Sequence, residues 1–308
     1  MIAKSDVEAA WARIKGHVRR TPVIELPEGT FGVSCPLSVK LEQLQVSGTF
    51  KGRGAFHKLV SSTVPASGVI AASGGNHGAA VAYAARALGH RAEIFVPTIS
   101  SPTKVARLRS YGAIVTQVGA VYAEAREASE KRAIETGALV IHAYEDPGVF
   151  AGAGSVALEF AEQAKVDTLL IAVGGGGLIA GCAAAVGGET KIVAVETEGT
   201  PTLFEARRAG KPVQVAISGI AADALGASLI GTPNFELAAK FVADAILVTD
   251  DAVRAAQRAL WDELRIVAEP SGATSLAALM SGVYRPAPGE RVGILICGAN
   301  TELASIPQ

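Results

Sequence analysis

A rhythm constrains this chain more than any other feature. Between residues 68 and 142, short apolar runs alternate with longer segments of helical character, and the intervening loops are rich in glycine. Gly68-Val-Ile-Ala-Ala72 reads as a strand and Ala79–Leu88 as a helix closed by Gly89. Ala92–Val96, Ile114–Val118 and Leu139–His142 read as further strands. The helices between them are one opened by Ser101-Pro102 and closed by Gly112, and one spanning Tyr122–Thr136. Such alternation reads as βαβ units, whose strands must lie parallel with helices packed on the sheet faces. Composition agrees. Hydrophobic residues make up 49% of the 308-residue chain, aromatics only 5%, and there are 34 glycines. That suits close helix-on-sheet packing better than an aromatic-rich β-sandwich.

The flanks carry the same elements less regularly. Ser5 and Glu8 have capping-box spacing ahead of an apolar face of Val7, Trp11 and Ile14, which Thr21-Pro22 ends. Leu37–Glu42 reads as a strand. After Pro147 the small residues Ala151–Ser155 precede a helix over Val156–Ala164. Then come a buried-type strand Thr168–Val173, a helix Leu178–Ala185, strands Ile192–Glu196 and Ile246–Val248, a helix capped by Asp250, and a last strand Val292–Cys297. The expected organisation is a block at 54–145 inserted into a larger unit built from 1–53 and 146–308.

Three loops after strands attract attention, because ligands collect at the carboxyl ends of parallel strands. The first is Ser47-Gly-Thr-Phe-Lys-Gly-Arg-Gly-Ala55. Lys51 sits among three glycines at an expected helix start, where the macrodipole disfavours a cation. Either an anion binds there, or the amine is a desolvated nucleophile. An ordinary solvated lysine is the plain alternative. The second loop, Ser73-Gly-Gly-Asn-His-Gly78, offers free N–H groups for a carboxylate and an Asn76 amide for a phenolate-like oxygen; a simple Asn helix cap also fits. The third, Gly174–Gly177, places successive N–H groups without Cβ obstruction at a helix start, which makes a phosphate cup. Gly175-Gly-Gly177-Leu-Ile-Ala180 with Glu196 also matches a dinucleotide fingerprint, so a nicotinamide-dependent oxidoreductase is a rival reading.

Other classes find little support. Lys and Arg total 28 against 29 Asp and Glu with no basic block, so nothing points to nucleic acid. Cys35, Cys182 and Cys297 are scattered, which suggests neither a disulfide framework nor a metal cluster. Cys297 on its own reads as a core thiol. His17, His57, His90 and His142 lack metal-ligand spacing. No apolar signal core or bilayer-length run is present, so a soluble cytoplasmic protein with no membrane partner is expected.

Taken in order, Lys40-Leu-Glu42 with Gln45, the Lys51 stretch, Ser73-Gly-Gly-Asn-His77, Gly174–Gly177, Ala268-Glu-Pro-Ser-Gly272 and Cys297-Gly-Ala-Asn300 resemble the fold-type II pyridoxal-phosphate enzymes over nearly the whole chain. The likeness is strongest to the serine/threonine dehydratase and serine racemase branch. The resemblance implies two αβα domains, related to the tryptophan synthase β-chain fold, with the active site in the cleft between them. It implies that Lys51 carries pyridoxal 5'-phosphate as a Schiff base and that Asn76 bonds the cofactor's 3-oxygen. Gly174, Gly175, Gly176 and Gly177 would hold the phosphate and Cys297 would face the pyridine nitrogen, with Phe50 and Leu178 adjoining. Ser73, Gly74, Gly75, Asn76 and His77 would take the substrate carboxylate. A homodimer and a small amino-acid substrate are implied as well.

Two departures stand out. Racemising relatives carry a serine where this chain has Gly74. Where the family binds a divalent cation, Glu196 matches one ligand, but Thr200 and Thr202 stand at the later positions, leaving the metal open. The expected reaction is β-elimination from L-threonine or L-serine to a 2-keto acid and ammonia. Serine racemisation, hydroxyaspartate dehydration and β-replacement would share the site, and a non-catalytic amino-acid sensor would leave Lys51 idle.

Overall fold

The computed structural model describes residues 1–302. In chain order the elements are α1 (Lys4–Ile14), β1 (Val23–Leu26), β2 (Leu37–Lys40), α2 (Lys51–Val60), β3 (Val69–Ala72), α3 (Asn76–Ala87), β4 (Ala92–Val96) and α4 (Pro102–Ser110). They continue with β5 (Ile114–Gln117), α5 (Tyr122–Thr136), β6 (Leu139–Val140), α6 (Pro147–Gln163), β7 (Thr168–Ala172), α7 (Gly177–Val186) and β8 (Lys191–Thr197). The remainder are α8 (Thr202–Ala209), α9 (Ala222–Leu225), α10 (Thr232–Phe241), β9 (Val242–Val248), α11 (Asp250–Leu264), α12 (Pro270–Met280) and β10 (Val292–Leu295).

The expected rhythm builds a four-stranded sheet, ordered β5-β4-β3-β6 and parallel throughout. A six-stranded sheet, ordered β1-β2-β10-β7-β8-β9, uses strands from before and after it. That sheet is parallel except for edge strand β1, which runs antiparallel to β2. β7 and β10 are buried along their whole length, as strands covered on both faces must be. One core packs α6, α7 and α10 against one face of the six-stranded sheet, and a second packs α11 and α12 against the other. A third joins α2 and α3 to the four-stranded sheet.

Several local expectations need correction. α1 starts one residue before Ser5, and the Asp6 carboxylate, not Glu8, accepts the Ala3 N–H at 2.8 Å. It ends at Ile14, well before Thr21-Pro22. Thr249, not Asp250, caps α11, its hydroxyl accepting the Ala252 N–H at 3.1 Å. α6 begins at Pro147, so Ala151–Ser155 is helix. Asp146 caps it by accepting the Gly148 N–H at 2.8 Å. Its small residues serve packing. A Cβ at Gly154 would lie 2.3 Å from the Gly181 carbonyl on α7, and one at Gly152 would lie 2.7 Å from the Arg53 carbonyl on α2. The rhythm also missed β1, α8, α9, α10 and α12.

Candidate active site

The carboxyl ends of β3 and β7 feed two glycine turns toward a common cavity. Lys51 opens α2 at its rim. The amine donates to the Ala143 carbonyl at 3.1 Å, just past β6. Burial lowers its pKa to about 8, opposed by Cys297 and Glu269.

A buried ion network holds this helix start in place. Arg53, two residues on, meets Glu42 through Nε at 2.8 Å and Nη2 at 2.7 Å, and reaches Glu159 at 3.1 Å. Lys40 completes the network, its Nζ 2.5 Å from Glu159. All four side chains are fully buried. Two cations and two anions leave the cluster neutral, which is the condition for burying charge at all.

The Gly174–Gly177 turn joins β7 to α7, with Gly176 in the left-handed region at φ +88°. An added Cβ at any of the first three would collide, and at Gly177 it would sit tightly, 3.2 Å from Tyr144 Cα. At Gly174 it would lie 2.9 Å from Leu225 Cα, at Gly175 2.3 Å from the Tyr144 ring, and at Gly176 2.9 Å from Asn234 Cβ. Among the described residues the N–H groups of Gly174, Gly175 and Gly176 meet no acceptor. The first-turn N–H groups of α7 have no intrahelical partner either. The side-chain amide of Asn234 on α10 braces the cup, donating to the Gly175 and Tyr144 carbonyls at 2.8 Å each.

One cavity is lined by Lys51, Phe50, Asn76, Gly174, Gly175, Gly176, Gly177, Leu178 and Cys297 together. These are the nine residues that the resemblance assigns to the cofactor. Tyr144, Ala224, Leu225 and Ser271 add to its wall. Burial drives the Cys297 thiol up to about 12, so it stays neutral. Its Sγ lies 3.4 Å from the Ser271 carbonyl and 3.6 Å from Ser271 Oγ.

The remaining expected residues form the turn into α3. Ser73 Oγ accepts the Gly75 N–H at 3.3 Å. A Cβ at Gly78 would lie 1.9 Å from the Ser73 carbonyl, which explains that glycine. The imidazole of His77 is spent on the Ile141 carbonyl at 2.9 Å. Burial, then the Lys51 charge, push its pKa down to about 3, so it is neutral. Any contact it makes with a carboxylate is through backbone.

Glu196, raised as a ribose or cation ligand, is held by backbone donors at the start of α8. Its two oxygens accept the Leu203 and Phe204 N–H groups at 2.8 and 2.7 Å, capping α8, and burial raises its pKa to about 8. Both carboxylate oxygens thus already accept from backbone donors. Thr200 and Thr202 bond to Thr197 and to the Ala227 carbonyl. Among the described residues, no group of three or more His, Cys, Asp and Glu is placed to hold a metal ion.

Sequence reasoning missed Glu269. This buried carboxylate accepts from Asn76 Nδ2 and Ser271 Oγ at 2.6 Å each, and from the Asn300 N–H at 3.1 Å. The stretches Ala268–Gly272 and Cys297–Asn300 were recognisable, but not the pairing between them. Tyr144 and Asn234 lie in segments without a motif, and nothing in the sequence marked them.

The residues present suit a phosphorylated aldehyde: a neutralisable amine, a cup of free N–H groups that a Cβ would fill, and a buried amide between them. Comparison with known proteins agrees. The family model described as pyridoxal-phosphate dependent enzyme matches residues 14–298. Phenylserine dehydratase from Ralstonia pickettii is 36% identical, covering 98% of this chain and 94% of that protein. L-threonine ammonia-lyase from Thermotoga maritima is 34% identical, covering 99% and 77%. The structure of maize serine racemase superposes with a TM-score of 0.93 at 32% identity, covering 98% of this chain and 95% of that one. With its motifs, its two parallel sheets and its relatives in agreement, the chain belongs to the fold-type II pyridoxal-phosphate enzymes and takes pyridoxal 5'-phosphate as cofactor.

Proposed function

We propose that this enzyme eliminates water from a small β-hydroxy amino acid, L-threonine or L-serine, and releases a 2-keto acid and ammonia. The meeting of Lys51, the glycine cup, Asn76 and Cys297 around one cavity carries the reading. The bound cofactor supplies the electron sink that makes an amino acid's Cα proton acidic. Lys51 would have two duties: to hold the cofactor at rest and, as a free amine, to take the Cα proton. A pKa of about 8 keeps a useful neutral fraction near neutral pH. The N–H groups of Gly174 to Leu178 would hold the phosphate, with the Asn76 amide at the 3-oxygen and the neutral Cys297 thiol at the ring nitrogen. The Ser73 hydroxyl and the first N–H groups of α3 receive the substrate carboxylate.

Gly74 separates elimination from racemisation. Inverting Cα needs an acid on the face opposite Lys51, and glycine supplies none. An unpositioned water forfeits most of the proximity advantage of a fixed group. The proposal includes closure of a small domain, residues 54–145, over the larger one, and a cytoplasmic homodimer that binds neither nucleic acid nor membrane. No helix of the described residues is long and apolar enough to cross a membrane. A bulkier β-hydroxy amino acid is a second reading, favoured by the identity to phenylserine dehydratase.

The test is product analysis with L-threonine, L-serine and phenylserine. Keto acid and ammonia in equal amounts, with D-serine at least about tenfold slower than pyruvate, are expected. A Cβ at Gly74 would meet Ser100 Oγ at 3.4 Å, Val96 Cγ1 at 3.6 Å and Val96 Cβ at 3.8 Å as its nearest atoms, ordinary contact distances. Gly74→Ser is therefore tolerated and should raise D-serine formation. Wild-type enzyme making D-serine as fast as pyruvate would contradict the reading.

A further inference from the structure

Asn76 is gripped from both ends. Its Nδ2 donates to Glu269 Oε1 at 2.6 Å, and its Oδ1 accepts from Asn300 Nδ2. An ionised carboxylate only accepts hydrogen bonds, and an amide nitrogen only donates them. The carboxylate of Glu269 therefore specifies the sense of the Asn76 amide, and Asn300, an amide itself, presents its Nδ2 to the oxygen that this leaves. One Nδ2 hydrogen goes to Glu269, leaving the second for an acceptor in the cavity that Asn76 lines. With the amide reversed, a carbonyl oxygen would face that acceptor.

Glu269 is itself fixed. Oε1 also accepts from Ser271 Oγ at 2.6 Å, and Oε2 from the Asn300 N–H at 3.1 Å. Its backbone N–H donates to the Gly298 carbonyl at 3.1 Å. A Cβ at Gly298 would lie 2.4 Å from Oε1, so that glycine makes room for the carboxylate. Burial raises the Glu269 pKa and the bonds from Ser271 and Asn76 oppose the rise. The three donors satisfy a buried anion that would otherwise be costly.

We propose that Glu269 is a positioning residue that, with Asn300, fixes the donor sense of Asn76 toward the cofactor's 3-oxygen. This rests on the proposed placement of the cofactor ring. It concerns residues of this chain alone and does not depend on which amino acid is the substrate. A glutamine at 269 has both a donor and an acceptor at its tip, so it tolerates either sense of the neighbouring amide.

The test compares wild type, Glu269→Gln and the exchanged pair Asn76→Asp/Glu269→Gln. The readouts are pyridoxal-phosphate dissociation constant, visible and near-ultraviolet absorption of the loaded protein, and Tm. Glu269→Gln should weaken cofactor binding about tenfold, the scale of one charge-assisted hydrogen bond. It should also move absorption from the visible toward the near-ultraviolet band. The exchanged pair restores an amide-to-carboxylate bond but turns a carboxylate toward the 3-oxygen. It should recover Tm without recovering binding or spectrum. Recovery of all three in the exchanged pair would mean that a donor at residue 76 is not needed by the cofactor, and that result overturns the proposal. So does a Glu269→Gln protein with unchanged spectrum and a dissociation constant within about twofold of wild type. If Glu269→Gln does not fold, Asn300→Ala decides: a smaller shift in the same direction supports the proposal, and none overturns it. Wild type without a borohydride-sensitive band would instead defeat the cofactor placement, a failure visible before any variant is made.

Discussion

At the scale of single residues the site is defined as much by absent side chains as by present ones. Gly175 illustrates this. A side chain there must displace the Tyr144 ring, 2.3 Å from the Cβ position, or enter the cup. Gly175→Asp adds a negative charge as well. Equilibrium dialysis against pyridoxal phosphate should show affinity reduced by at least about 100-fold, with circular dichroism unchanged. Unchanged occupancy would place the phosphate elsewhere. Lys51 gives a pH-dependent prediction. Burial lowers its pKa from 10.5 to about 8 in the folded chain. The unfolded chain then binds more protons between those values, so this group's destabilising effect is complete below pH 8 and fades as pH rises to 10.5. Only the neutral amine attacks an aldehyde. Cofactor loading of the bare protein, followed by stopped-flow absorbance, should therefore accelerate from pH 7 to 8 and flatten above. A rate that falls over that interval would contradict the assignment.

At the scale of elements the start of α2 depends on its buried ion network. Arg53→Met preserves bulk but leaves Glu42 and Glu159 to share Lys40. Breaking a buried pair in this way costs about 3–5 kcal/mol. Thermal unfolding should show a large fall in Tm, partly recovered by adding Glu42→Gln. A Tm within a degree or two of wild type would mean that the network is not a structural anchor. This network also marks the limit of what the sequence made legible. Lys40, Glu42 and Arg53 were visible as motif residues, but Glu159 lies on a helix expected to begin only at Val156. Local composition reported the small residues of α6 faithfully; their purpose, contact with α2 and α7, is tertiary and left no local signature. The loops at Lys51, Ser73 and Gly174 were legible because backbone geometry restricts them to few residue types. Glu269 was not, since a buried carboxylate looks in sequence like any surface one. The partners of Glu196 were equally hidden: they are backbone N–H groups of α8, which carry no residue identity.

At the scale of the whole molecule, the two sheets bring Asn76, from the carboxyl end of β3, to the cup at the carboxyl end of β7. Their approach is bridged on the α4 side. Lys104 pairs with Asp223 of α9, and Arg107 donates to the Ser47 carbonyl at 2.6 Å beside the Lys51 stretch. The central claim, that this assembly presents one lysine to the cofactor, has a direct measurement: borohydride reduction of the loaded protein, followed by peptide mass mapping. The account predicts a single pyridoxyl adduct, on Lys51, and none in Lys51→Ala. An adduct on another lysine, or a Lys51→Ala protein that still acquires one at full yield, would contradict it.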